Sequence, residues 1–303
     1  MTARAAPRPA TRPNHLQRTV TVRSLIDRSD IRARLESAPA YSAYALAYLD
    51  RRLYPLARFY EAAHGEKWAL VMHARGGLGP STLTLGEPDA VSALLRLHPG
   101  PRQTFLTCET GHVEGMLSTH NLWRAQTMLR MQVDRASFVP AADRVPVRRL
   151  IDADAGELNR LYAIEGDGLH YSGRQVGEGI YFGAHFRGRL VAAAGTHIHS
   201  LGESVAVIGN VFTNPDYRGR GLGTAVTAAV TGYLLRTCNL VVLNVDPANR
   251  TARHVYDAIG FKETGRLIEA MATRRETTTP LPLLRRLIAR WRSRTPGLEL
   301  VNL

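Results

Sequence analysis

The chain has 303 residues, the length of two ordinary domains, with 45% hydrophobic and 21% charged residues, a globular composition. No apolar run reaches the ~18 residues a membrane-spanning helix needs, no apolar leader opens the chain, and Cys108 and Cys238 are too few for a disulfide framework or a thiolate zinc site; a cytoplasmic protein without a transmembrane segment is expected. Of the net charge of +13, residues 1–40 carry +5 and residues 276–303 carry +3, so most of the basic excess lies in the tails and nucleic acid is not an expected partner.

Residues 1–29 read as a basic, disordered tail. Residues 30–146 form a first αβ region: a helix over 42–63, strands 68–74 and 81–85 joined by a Gly-rich turn, a helix over 88–97, and strands 103–108 and 127–133. His112 and His120 flank Glu114 at no metal-ligand spacing and read as core-edge or solvated groups. Punctuation from Val139 to Pro146 marks a linker. Residues 147–275 form a second region of order αβββαβα: helix 152–164, strands 179–186, 190–200 and 204–213, helix 224–236, strand 240–245 and helix 250–259. The basic tail 276–303 holds an amphipathic stretch, 281–294, with Leu284, Leu287, Ile288 and Trp291 on one face. Packing on the domain and binding to a partner or membrane surface are both open to it.

The strongest local feature is a strand, then RGRGLGTA, then a helix. Gly219, Gly221 and Gly223 leave main-chain N–H groups uncovered at a helix start, where unpaired donors and the helix dipole favour an anion. The spacing is not that of a dinucleotide fingerprint, and no P-loop Lys follows.

Residues 204–275 resemble the GNAT acetyltransferase superfamily. Its [QR]-x-x-G-x-[GA] loop reads as Arg218, Gly221 and Gly223 after NVFTNPDY, and its N-x-x-A-x-x-x-Y pattern, followed by Gly-Phe, reads as Asn249, Ala252, Tyr256, Gly260 and Phe261. The resemblance covers 147–275 and is nearest in pattern to the glycine N-acyltransferase-like branch. It implies an α/β fold with a mixed sheet: a GNAT fold in the C-terminal half, preceded by a degenerate GNAT-like αβ domain.

It also implies an N-acetyltransferase that moves an acetyl group from acetyl-CoA to a primary amine by direct attack in a ternary complex, without a metal. The diphosphate would rest on Arg218, Gly219, Arg220, Gly221, Leu222, Gly223 and Thr224. The pantetheine would lie along Val211, Phe212 and Thr213, in a gap that Gly209 marks as a bulge, and would reach Asn249. Tyr256 would protonate the departing thiolate, against the alternative of a core tyrosine.

Relatives carry a Glu eleven residues before the Arg218 position, where this chain has Val207. His197 and His199, read as sharing one strand face, are the candidate bases, with Asn210 beside them. Glu165, Asp167, His170 and Tyr171, in the loop 164–179, would recognise a small-molecule or peptide amine. A homodimer is left open, and a non-catalytic acyl-CoA sensor is the alternative function.

Overall fold

The computed structural model of the protein describes residues 19–76, 79–142, 145–165, 170–275 and 299–302. One order of elements runs through it twice. The first pass is β1 (Thr19–Leu25), α1 (Arg28–Leu35), α2 (Pro39–Ala47), β2 (Ala57–His64), β3 (Lys67–Ala74), β4 (Ser81–Gly86), α3 (Pro88–Leu97), β5 (Gln103–Cys108), α4 (Val113–Thr119) and β6 (His120–Val133). The second is β7 (Val147–Arg149), α5 (Ala155–Tyr162), α6 (Gly173–Glu178), β8 (Tyr181–Phe186), β9 (Arg189–Ser200), β10 (Val205–Thr213), α7 (Leu222–Leu234), β11 (Leu240–Val245), α8 (Arg250–Ile259) and β12 (Lys262–Arg274). A last strand, β13 (Glu299–Asn302), pairs antiparallel with β1.

The strands make one mixed sheet of order β13-β1-β2-β3-β4-β5-β12-β6-β11-β10-β9-β8-β7. Each pass has an antiparallel meander leading to one parallel pair, β4 with β5 and β10 with β11, across a helix, as a crossover connection requires. The final strands are exchanged: β12 pairs with β5 of the first pass, and β6 pairs with β11 of the second. The two passes therefore share one sheet and interdigitate at its centre. Helix α2 covers this seam, its Ala43 and Leu46 packing in one core with Leu83 of β4, Val205 and Val207 of β10 and Val242 of β11. On the opposite face of β10, Ala206 and Ile208 pack with Val226 of α7 and with Tyr256 and Ile259 of α8.

Several expectations need correction. Residues 19–29 are not a disordered tail: Val20 and Val22 are buried in β1, and Asp27 caps α1 by accepting from the Ser29 N–H at 2.7 Å. The stretch 42–63 is not one helix. It breaks after α2 at a turn where the Asp50 carboxylate accepts from the Arg52 N–H at 2.9 Å. Pro55 follows in a 3-10 turn, and the alternately buried Ala57, Phe59 and Glu61 then form a strand. The strand expected at 127–133 begins at His120, and a strand not expected at all, β12, follows Phe261. The amphipathic stretch 281–294 and residues 1–18 lie outside the described residues. Among the described residues no helix is long and apolar enough to cross a membrane.

Candidate active site

Between Thr213 and Leu222 the chain turns from β10 into α7 through Asn214, which caps a 3-10 turn by accepting from the Asp216 N–H at 3.0 Å. Gly219 and Gly221 then take left-handed backbone angles, φ of 76° and 74°, which a side chain disfavours. Gly221 is the N-cap of α7, and no side chain caps that helix. The first intrahelical bond runs from the Ala225 N–H to the Gly221 carbonyl at 3.0 Å, so the N–H groups of Leu222, Gly223 and Thr224 point out of a helix start with no side-chain acceptor. Arg218 and Arg220 flank it. Arg218 donates from Nε to the Thr213 carbonyl at 3.2 Å and pairs with Glu165, while Arg220 lies 5.3 Å from the Tyr217 ring centroid. This is an anion cradle of the kind a diphosphate fits.

The strand that feeds the cradle is split from its parallel neighbour. β10 pairs with β11 only over Val205–Ile208. Beyond this, a bulge between Gly209 and Phe212 disrupts the ladder to β9, with Asn210 left-handed at φ 55°. The Tyr162 hydroxyl of α5 holds the bulge by donating to the Asn210 carbonyl at 2.6 Å. The edges of Val211, Phe212 and Thr213 that face β11 have no ladder partner there, which leaves an open strand edge for an extended amide-bearing chain.

Helix α8 stands on the far side of the gap. Asn249 is its N-cap, accepting from the Ala252 N–H at 3.0 Å, and is exposed. Tyr256 is 6% exposed, packs 6.0 Å from the Phe261 ring, and burial pushes its hydroxyl up to about 12. It is therefore a protonated donor at neutral pH, and no hydrogen bond to its hydroxyl occurs among the described residues.

The residues expected to recognise an acceptor amine are dispersed. Glu165 is tied to Arg218, beside the cradle. Tyr171 is buried at 1% in an aromatic cluster with Tyr162 and Tyr181, and Asn159 holds its main chain at both N–H and carbonyl. His170 is exposed, and Asp167 lies outside the described residues. His197 and His199 do not share a face. A register shift makes Ile198 pair with Val207 and His199 with Ala206, which face opposite ways. His197 is the extra residue of that bulge. Its ring occupies the space where a Cβ on Gly209 would sit, and its Nε2 donates to Asn210 Oδ1 at 3.2 Å.

His197 and Asn210 line a cavity of about 350 Å³ on the α2 face, where both passes of the fold meet. Its walls include Tyr44 of α2, Met72, Leu83 and Phe105 of the first pass, and Val207 and Met271 of the second. Polar side chains that sequence reasoning did not single out also face it, among them Arg130 of β6, Asn244 of β11 and Glu269 of β12. Asn244 Nδ2 donates to Glu269 Oε1. Burial raises the Glu269 carboxyl above the usual range, opposed by that hydrogen bond and by Arg130; burial also lowers His197, so its ring is neutral near pH 7. The available signal was a lone charge inside an apolar strand, Arg130 in TMLRMQV and Glu269 in RLIEAMA. His112 and His120 are core groups: His112 bonds Thr84 Oγ1 at 2.8 Å and the Gly86 carbonyl at 2.7 Å. No cluster of three or more metal-ligating side chains occurs among the described residues.

Residues 149–261 match the acetyltransferase (GNAT) family. A mycothiol acetyltransferase from Thermobispora bispora is 37% identical over 86 residues, which is 27% of this chain and 29% of that protein. A second, from Rhodococcus jostii, is 37% identical over 78 residues, 24% of this chain and 26% of that protein. The chain thus spans under a third of the length of these curated relatives. Among solved structures, a Drosophila protein superposes with a TM-score of 0.59 at 17% identity, covering 82% of this chain and 98% of that one. A structure described as a GNAT-family acetyltransferase from Novosphingobium aromaticivorans superposes at 0.51 with 20% identity, covering 71% and 91%. At those identities the superpositions speak for the fold alone.

Proposed function

We propose that this chain, whose residues 149–261 match the GNAT acetyltransferase family, is an acetyl-CoA-dependent N-acetyltransferase acting on a primary amine. The observation that carries the reading is continuity. An uncapped helix start with two left-handed glycines opens onto a splayed strand pair, and β10 and β11, which form the splay, also line a cavity holding an imidazole and a carboxylate. The residues present fit coenzyme A. The N–H groups of Leu222, Gly223 and Thr224 suit its diphosphate, and the unpaired edge of Val211, Phe212 and Thr213 suits its amide-bearing arm. Bound there, it supplies an activated acetyl thioester.

The chain's own residues then have three tasks. His197, neutral, or Glu269, ionised, takes the proton that the amine must lose before it can attack. A backbone donor of the bulged β10 polarises the carbonyl under attack. Tyr256 gives a proton to the sulfur as the C–S bond breaks and the C–N bond forms, so that an amide and a free thiol leave together. Domains of 30–146 and 147–275 belong to this reading, the first in the role of a wall of the acceptor cavity, as does the sequence likeness to the glycine N-acyltransferase-like branch.

Calorimetry with acetyl-CoA, followed by thiol release across a panel of amines, tests it. Binding with amine-dependent thiol release is expected. Binding without release for any amine would leave the acyl-CoA sensor, and no binding would remove the cradle from its role.

A further inference from the structure

The cavity holds a cation that the fold leaves unsatisfied. Arg130 is 3% exposed, yet its Nε and Nη1 have no hydrogen-bond partner, and its Nη2 makes only a 3.4 Å contact to the Tyr41 carbonyl. No carboxylate lies within ion-pair distance of it among the described residues. A buried guanidinium normally has its donors filled, because leaving them unpaired costs free energy. On the same cavity wall, Asn244 Oδ1 is a buried acceptor without a donor, next to the Glu269 carboxyl. β6 and β11 place Arg130 and Asn244 directly opposite each other in register, and Glu269 comes from β12 on the other side of β6.

We propose that Arg130 binds an acidic group of the acceptor, so that the amine taken by this cavity also carries a carboxylate. The inference rests on the reading of the cavity as the acceptor site. Nε and Nη1 lie on different edges of the guanidinium, each shared with Nη2, so a carboxylate seated on either edge would fill one of the free donors. The ammonium of the same molecule then meets Asn244 Oδ1 and Glu269, an acceptor pair that would hold it where its proton is removed. The remaining wall is mostly apolar, with Met72, Leu83, Phe105, Val207 and Met271 interrupted by Thr82, Gln103, Thr104 and Thr107, and the volume of about 350 Å³ admits a compact molecule. These features together describe an amino acid with an apolar side chain. The selecting cation comes from β6, the strand that the first pass lends to the second.

The test is titration of the full chain, with and without saturating coenzyme A, by L-leucine and L-phenylalanine against their amides, which keep the amine and lose the anion. The acids are expected to bind at least about tenfold more tightly, and Arg130→Met to abolish that difference while Arg130→Lys retains part of it. An amide that binds as well as its acid, an acid preference that survives in Arg130→Met, or no heat with any of the four overturns the inference. If Arg130→Met fails to fold, the comparison of acid with amide on the unaltered chain decides alone. Coenzyme A heat in the same titrations separates the outcomes. Its presence without acid preference sinks only this inference, and its absence sinks the proposed function.

Discussion

The two passes of the fold cross from strand to helix at the same point, and only one of them leaves main-chain donors open at the helix start. In the first, a single residue, Glu87, separates Gly86 from Pro88, the first residue of α3. Pro88 has no N–H to offer, and Glu87 and Asp89 put negative charge at the helix start. In the second, eight residues separate Thr213 from Leu222; they bring Arg218 and Arg220 and end in a left-handed glycine that leaves α7 uncapped. A common order of elements therefore does not give a common helix start; the connecting loop decides it.

Exchanging features between the junctions sharpens this contrast. The largest effect is expected from Gly221→Val, which places a β-branched side chain at a left-handed position beneath the cradle; coenzyme A affinity measured by calorimetry should fall at least about a hundredfold. Retained affinity would show that the diphosphate is held elsewhere.

Next in size is acid sensitivity in the first pass. Burial pushes His73 and His98 down to about 4, and His73 is fixed in the neutral form between Thr82 Oγ1 at 2.9 Å and the His98 carbonyl at 2.8 Å. The unfolded chain binds protons at these histidines near pH 6.5 and the folded chain does not. Their stabilising contribution is therefore present above about pH 6.5 and lost as pH falls toward 4, by up to about 3 kcal/mol each. Denaturant titrations between pH 7 and 4 should show the loss, and His73→Gln should reduce the slope.

Tyr256→Phe should lower kcat on the order of 100-fold with coenzyme A affinity unchanged; equal turnover would reduce Tyr256 to a packing residue. The smallest change is Gly86→Ala, the first-pass counterpart of the cradle substitution. A Cβ there would lie 2.4 Å from the Trp68 carbonyl oxygen at a φ of 102°, so stability should drop by about 2 kcal/mol with coenzyme A affinity intact.

Local patterns were legible where one element sets its own bounds. Pro88–Leu97, Gln103–Cys108, Leu240–Val245 and Arg250–Ile259 begin and end where their apolar periodicity and punctuation place them. The turn into α7 was visible because glycines at left-handed positions leave a mark in the sequence, and the bulge was visible because Gly209 lacks the Cβ that would collide with the His197 ring. What depends on partners distant in sequence was not visible. The shift that turns His197 and His199 to opposite faces is set by pairing with β10. Arg130 and Glu269 meet at one cavity only because β6 and β12 lie side by side at the seam, and nothing in either strand's own pattern names its neighbour.

The exchange of β6 and β12 has a consequence for how the polypeptide can be divided. A cut between Val139 and Pro146 yields two fragments, each lacking the strand that completes its own sheet and carrying the one that completes the other's. Produced separately, each would expose a long unpaired edge; mixed, they should anneal as complementing halves, with recovery of the cavity reporting that they have found one another.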